Sequence, residues 1–197
     1  MMKLFGLYDT QNISVEDYGL KKVIVLTPKL LLKSHGRNAK KEFSKSKVHI
    51  VERLINRLQI PGSRGKKHRI ITKWQTGKYN KSAQIVIDAF EYIKKKTGKN
   101  PVEVYVKAIE NAAPRDEVTA IEYGGARYPQ SVDVSPLRRI NLVLRFMTNG
   151  AYDKAFNKKT TIVEALAKEI MWTAEGSTES YALRKKNELE KQADSAR

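Results

Sequence analysis

Residues 61–81 read PGSRGKKHRIITKWQTGKYNK, with seven Lys or Arg and no Asp or Glu. Trp74, Tyr79 and His68 are interleaved with that charge. Lysine and arginine displace condensed counterions from a phosphate backbone, and aromatic rings offer flat faces to unpaired bases. Gly62, Gly65 and Gly77 let one backbone approach another closely. The chemistry on offer is anion neutralisation with stacking, not bond making. Trp74 is equally suited to anchoring a core, and the residues favour neither role.

The charge is concentrated. Between 35 and 81 there are fourteen Lys or Arg against Glu42 and Glu52, which is twelve of the net +17 of the whole 197-residue chain. With a pI near 9.9, the chain is expected to meet a polyanion. Candidate phosphate ligands before the first helix are Arg37, Lys40, Lys41, Lys45 and Lys47. The loop that follows that helix adds Arg64, Lys66, Lys67, His68, Arg69, Lys73 and Lys78, with Trp74 and Tyr79 as stacking candidates. Arg115, Arg127 and Tyr128 flank a hairpin. Arg138 and Arg139 sit in the first turns of a helix, where the macrodipole disfavours cations and a phosphate partner would explain them. Reversing both charges is expected to weaken RNA binding with little change in fold. Lys185 and Lys186 complete the set on the last helix. Patches this scattered suit a folded RNA better than a straight duplex.

Other chemistries lack their residues. No Gly-Lys pair (65–66, 77–78, 98–99) completes a phosphate-binding G-x-x-x-x-G-K-[ST] loop. His35, His49 and His68 have no metal-ligand spacing, and the chain has no Cys, which excludes disulfides and thiolate zinc sites. No G-x-S-x-G elbow presents a serine nucleophile. The acidic pairs Asp116-Glu117 and Glu188/Glu190 are expected to serve as ion-pair partners rather than as metal ligands. We therefore expect neither enzyme activity nor a cofactor or metal. No targeting segment is visible. The run Val23 to Leu26 is far shorter than the roughly 20 apolar residues that span a bilayer, so no membrane partner is expected.

The elements that must position these residues are mainly helical. Val48, Val51, Leu54, Ile55 and Leu58 predict a helix over roughly 46–59, stopped by Pro61-Gly62, with Arg53 and Arg57 on another face. A second helix, capped by Asn80 or Ser82, runs to Thr97-Gly98 on the stripe Ala83, Val86, Ile87, Phe90 and Ile93. A third opens at Asn100-Pro101 and buries Val102, Tyr105, Ile109 and Ala112 before Pro114. The pattern then alternates with period two. It predicts a hairpin over 116–134 turning at Gly124-Gly125, with Pro129 on a free edge. Ser135-Pro136 starts a fourth helix that buries Leu137, Ile140, Leu144 and Met147, with Gly150 as its stop. Thr161 and Glu164 form a capping box for a fifth, which buries Ile162, Leu166 and Ile170 and ends near Gly176. A polar helix from Thr178 to about Ala193 is the last. The expected fold is a single, mainly α domain: a bundle of about six helices over 46–197 with a protruding two-stranded β-hairpin. An extended arm, residues 1–45, precedes it.

Four stretches carry a family resemblance: HGRNAKKEFSKSKVHIVERLINRL at 35–58, NPVEVYVKAIENAAPRDE at 100–117, VDVSPLRRINLVL at 132–144 and SYALRKKNELEKQADSAR at 180–197. SVEDYGL at 14–20 extends it weakly. With these motifs the chain resembles the seventh universal protein family of the small ribosomal subunit, in its archaeal and eukaryotic form. The resemblance implies a helical domain with an extended hairpin and a cytoplasmic, ribosomal location. It implies binding to the 3′ major domain of small-subunit rRNA and early nucleation of head assembly. It also implies exit-site tRNA and the mRNA exit path nearby, neighbouring small-subunit proteins as partners, and no catalytic residues. Gly65-Lys66-Lys67 and Gly77-Lys78 both fit the family's Gly-Lys turn; the second, directly before a helix, is the better placed. The competing readings are an RNA-processing enzyme, a free basic chaperone and a DNA-binding helix-turn-helix protein.

Overall fold

The computed structural model describes residues 3–60 and 75–197. Its elements in chain order are α1 (Tyr18–Lys21), two single-turn 3-10 helices (Arg37–Lys40 and Ser44–Lys47), α2 (Ile50–Leu58), α3 (Tyr79–Thr97), α4 (Pro101–Ala112), β1 (Asp116–Tyr123), β2 (Ala126–Asp133), α5 (Pro136–Ala155), α6 (Ile162–Glu175) and α7 (Tyr181–Asp194). It is a mainly α fold with one antiparallel hairpin. Helix α6 packs against α3, α4 and α5. Phe90 and Tyr105 lie at the centre of the core, their rings 5.9 Å apart.

Local signals set most boundaries. Asn100 caps α4 by accepting from the Val102 amide, and Pro101 fills the first helical position. Thr161 caps α6 by accepting from the Glu164 amide. The strands pair from Asp116 with Asp133 to Tyr123 with Ala126. That leaves Gly124 and Gly125 as the two turn residues, with φ of 57° and 82°. Both angles belong to the primed turn that matches strand twist, and side chains rarely tolerate two such angles in succession. Pro129 faces Ala120 in a ladder with two free edges.

Several boundaries differ from the sequence expectation, and the last helix, for one, begins at Tyr181 rather than Thr178. The first predicted helix begins at Ile50, not at 46. Residues 44–47 form a 3-10 turn instead, because Val48 adopts an extended conformation and His49 bridges to Val25. Helix α3 begins at Tyr79, ahead of the expected caps, and Ile85 and Ala89 join its buried face while Ile87 is only half-buried. The largest difference is at Gly150, which is interior to α5 rather than its stop. A Cβ there would lie 2.7 Å from the Cβ of Tyr181 and 3.0 Å from the Glu169 carboxyl carbon. The glycine is required by helix crossing, not by chain reversal.

Residues 3–45 wrap onto the bundle. Leu4, Tyr8, Leu20, Ile24 and Leu32 are buried in the same core as the helices. The Glu110 carboxylate of α4 accepts from the amides of Glu16 and Asp17. Asn100 donates to the Asp9 carbonyl at 2.6 Å.

His49 is the joint between this segment and α2. It is fully buried, and its Nδ1 accepts from the Val51 amide at 3.2 Å. Burial, then the charge of Lys29, pushes its pKa down from 6.5 to about 4. The native ring is therefore neutral where the unfolded ring takes up a proton. Its contribution to stability is complete above pH 6.5 and is lost as pH falls toward 4, on the order of 3 kcal/mol in all. Urea midpoints at pH 7 and pH 4.5 measure this loss. His49→Asn, which can still cap but does not titrate, is expected to flatten the profile in that window. An unchanged profile in the variant would place the pH dependence elsewhere.

Candidate nucleic-acid interface

Among the described residues, α2, α5 and the turn before α2 build a cationic site. Lys45, Arg53, Arg57 and Arg145 line one cavity of about 290 Å³, together with Val48, Asn56, Ile60, Asn141 and Leu144. No carboxylate lines it. Arg53 and Arg57 are one helical turn apart on α2, so both project from the same side. Arg53 is only 2% exposed, and its Nη2 donates to Asn141 Oδ1 at 3.3 Å. Its Nε and Nη1, and the Nε of Arg57, are buried without a hydrogen-bond partner among the described residues.

The cations destabilise one another's charge. Burial depresses the pKa of Arg53, and burial with the Arg145 charge depresses that of Arg57. Desolvation, then the guanidinium groups of Arg53, Arg57 and Arg145, depresses that of Lys45. Arg53 alone of the four is buried, while Arg57 is half-buried and Lys45 and Arg145 are exposed, so the several kcal/mol that a buried charge without a counter-ion costs falls on Arg53. Residues 61–74 contain no Asp or Glu, so they bring no carboxylate to this cavity. Such an arrangement is suited to an external anion.

The expected ligands fall into distinct groups. Arg37, Lys40, Lys41, Lys45 and Lys47 are exposed, and none pairs with a carboxylate among the described residues. Arg64, Lys66, Lys67, His68, Arg69, Lys73 and Trp74 lie outside the described residues. Lys78 is exposed at the start of α3, after a turn in which Gly77 has φ of 73°. Tyr79 is half-buried, its ring 5.6 Å from Lys33 Nζ, and burial followed by the Glu52 charge pushes its hydroxyl pKa up to about 12. Its ring therefore packs against the protein more than it faces solvent.

At the hairpin, Arg115 is exposed while its amide donates to Glu190, and Arg127 pairs with Glu122 at 3.4 Å. Tyr128 faces Ile121 across the ladder, and with Tyr123 and Val132 they form an exposed apolar side. The two arginines of α5 part company. Arg138 is exposed and forked onto Glu117, with both bonds at 2.5 Å. Arg139 is 8% exposed; it donates to Asp17 Oδ2 at 2.7 Å and to the Pro114 carbonyl at 3.1 Å. Its guanidinium joins the N-terminal segment to the hairpin base. The expectation that this pair could be reversed with little change in fold is corrected on that ground. Lys185 pairs with Glu188, and Lys186 donates to the Asn111 carbonyl at 2.9 Å near the end of α4. The acidic pairs serve as ion-pair or hydrogen-bond partners, with Asp116 on Arg197 at 2.9 Å.

Arg53, Arg57 and Arg145 were the residues that sequence reasoning left out. A signal was available: two arginines one turn apart on an apolar helix, in a region with almost no acid to pair them. Arg145 had none, because only the fold brings α5 against α2. Among the described residues no helix is long and apolar enough to cross a membrane.

Known proteins share this chain's pattern over its length. Residues 21–197 match the family described as Ribosomal protein S7p/S5e. The small ribosomal subunit protein uS7 of Nanoarchaeum equitans is 50% identical over all of this chain and 99% of its own length. The protein of the same name from Methanothermobacter thermautotrophicus is 45% identical, with both chains covered completely. The helical body, the hairpin and the acid-free cation cavity thus belong to a chain that is a member of the Ribosomal protein S7p/S5e family, whose proteins are structural components rather than enzymes.

Proposed function

We propose that the chain is a structural constituent of the small ribosomal subunit that binds its rRNA. The observation that carries this reading is the cavity of Lys45, Arg53, Arg57 and Arg145, cationic on every charged group and without a carboxylate. RNA phosphates are the partner that would offset that charge. The exposed cations of residues 37–47 extend the same surface along the chain. At the finer level, the rRNA bound is the 3′ major domain, and binding nucleates assembly of the subunit head. The exposed Ile121, Tyr123 and Tyr128 of the hairpin support a position close to exit-site tRNA and the mRNA path. Neighbouring small-subunit proteins are its other partners, and its location is the cytoplasmic ribosome.

Filter binding of the full-length protein to a 3′ major domain transcript, from 50 to 200 mM salt, tests this. Affinity is expected to fall by about 10³-fold or more, as for a protein that neutralises six or more phosphates. Arg57→Ala and Arg145→Ala are each expected to reduce the logarithmic salt slope by about one. A shallow slope, or equal competition by duplex DNA, would overturn the reading.

A further inference from the structure

Beside the cation cavity lies a second one. It is about 490 Å³ and is lined by Val23, Phe43, Pro136, Leu137 and Leu142, with Arg138 and two serines at its polar side. Asn141 and Arg145 line both cavities. The pair thus joins a mainly apolar compartment to a polycationic one through two shared side chains. The apolar compartment falls within the roughly 300–1,000 Å³ of small-molecule pockets.

Phe43 is the unusual residue there. The residue is 77% exposed, although a large apolar side chain gains by burial. Its backbone has φ of 54°, a conformation that bulky residues rarely adopt. Strain of this kind persists where the surroundings enforce it, and it gathers at ligand sites. Here the carbonyl of Phe43 accepts from both the amide and the hydroxyl of Ser46, which fixes the turn that presents the ring.

We propose that the two cavities together seat a single unstacked nucleotide. Its base lies against Phe43 in the apolar compartment, and its phosphate lies among Lys45, Arg53, Arg57 and Arg145. This rests on the RNA-binding reading and goes further, because it specifies a base turned out of the helical stack rather than duplex backbone. Single-stranded bases are recognised by stacking on aromatic rings and arginine planes. Arg145, which lines both compartments, can serve base and phosphate at once. The bond from Arg53 engages the Asn141 Oδ1 and leaves its amide nitrogen as a donor. An apolar peptide would leave the guanidinium groups unpaired, and an anion alone would leave the apolar compartment unfilled.

The test uses the full-length protein at low salt, titrated with adenosine 5′-monophosphate, ribose 5-phosphate and inorganic phosphate and followed by amide NMR shifts. The adenosine monophosphate is expected to bind about tenfold tighter than ribose 5-phosphate, the gain of one stacked base. Phe43→Ala, at an exposed site, is expected to bring the two to the same affinity and to leave inorganic phosphate unchanged. Arg145→Ala is expected to weaken all three. Equal binding of the first two ligands to the wild type overturns the proposal, as does an unaltered nucleotide affinity in Phe43→Ala. The 3′ major domain transcript, titrated in the same buffer, separates the two levels. If it binds while the nucleotides do not discriminate, only the turned-out base fails. If it does not bind, the RNA-binding reading fails with it.

Discussion

Arg139→Glu is expected to destabilise the protein by about 3–5 kcal/mol, the usual result of breaking a buried ion pair from one side. Arg138→Glu, one residue earlier, is expected to cost about 1 kcal/mol or less, as an exposed pair does. The two residues are adjacent in sequence and alike in charge, and only their surroundings differ. The Arg139 side chain is 10% exposed and its partner Asp17 23%, whereas that of Arg138 is 56% exposed. A glutamate at 139 would replace the salt bridge with a second carboxylate on the Asp17 side, and it would strip the Pro114 carbonyl of its donor. Burial acts to raise the Asp17 pKa, yet the hydrogen bond and charge of Arg139, with the amides of Gly19 and Leu20, hold it below the ordinary carboxylate value. The contribution is therefore present above about pH 3.8 and is lost as pH falls through the lower folded value. Urea unfolding of the two single variants at pH 7 measures the contrast. Similar midpoints for both would refute the structural role of Arg139.

That contrast shows where the sequence stopped being informative. Caps, turns and periodicity act within a few residues, and they were legible: Asn100-Pro101, Thr161 with Glu164, and Gly124-Gly125 each mark an element where it occurs. Arg139 finds its partner 122 residues away, so no local pattern distinguishes it from Arg138. Gly150 carries the same ambiguity. A glycine after an apolar stripe signals a helix end, but it also signals close helix approach, and the distances to Tyr181 and Glu169 decide for the second. The functional surface was legible as charge and only partly as place. Composition marked residues 37–47 as cationic and unpaired, yet the cavity requires α2 and α5 to meet. The proposal that it takes an anion rests on the absence of a carboxylate in three dimensions, and a linear reading sees only the scarcity of acid along the chain.

Glu169→Ala is expected to be comparably costly, about 3–5 kcal/mol, and to act at a distance from its own position. The carboxylate is fully buried where α5, α6 and α7 cross. Oε2 accepts from Lys154 Nζ at 2.7 Å, and Oε1 accepts from the Ser180 hydroxyl and the Ala182 amide, both at 3.0 Å. Ser180 is itself the cap of α7, accepting from the Leu183 amide at 3.2 Å. Glu169 thus places negative charge at the positive end of the α7 dipole and supplies a second acceptor for its orphan amides. Alanine would strip the Ala182 amide of its acceptor and the Lys154 ammonium of its counter-charge, leaving the ammonium only the Glu179 carbonyl and the Trp172 ring. Helix α7 in turn clasps the hairpin base: Glu190 accepts from the Arg115 amide, Arg197 pairs with Asp116, and the Ala196 carbonyl accepts from the Ser131 amide. Loosening its first turn should therefore raise hydrogen exchange at Arg115 and Ser131 as well as at Ala182. Replacing both partners, Lys154→Met with Glu169→Met, is expected to recover part of the lost stability, because no ion is then left unpaired. If exchange rises at Ala182 alone, α7 is not what holds the hairpin base; if the double variant is no more stable than Glu169→Ala, the unpaired ammonium is not the source of the cost.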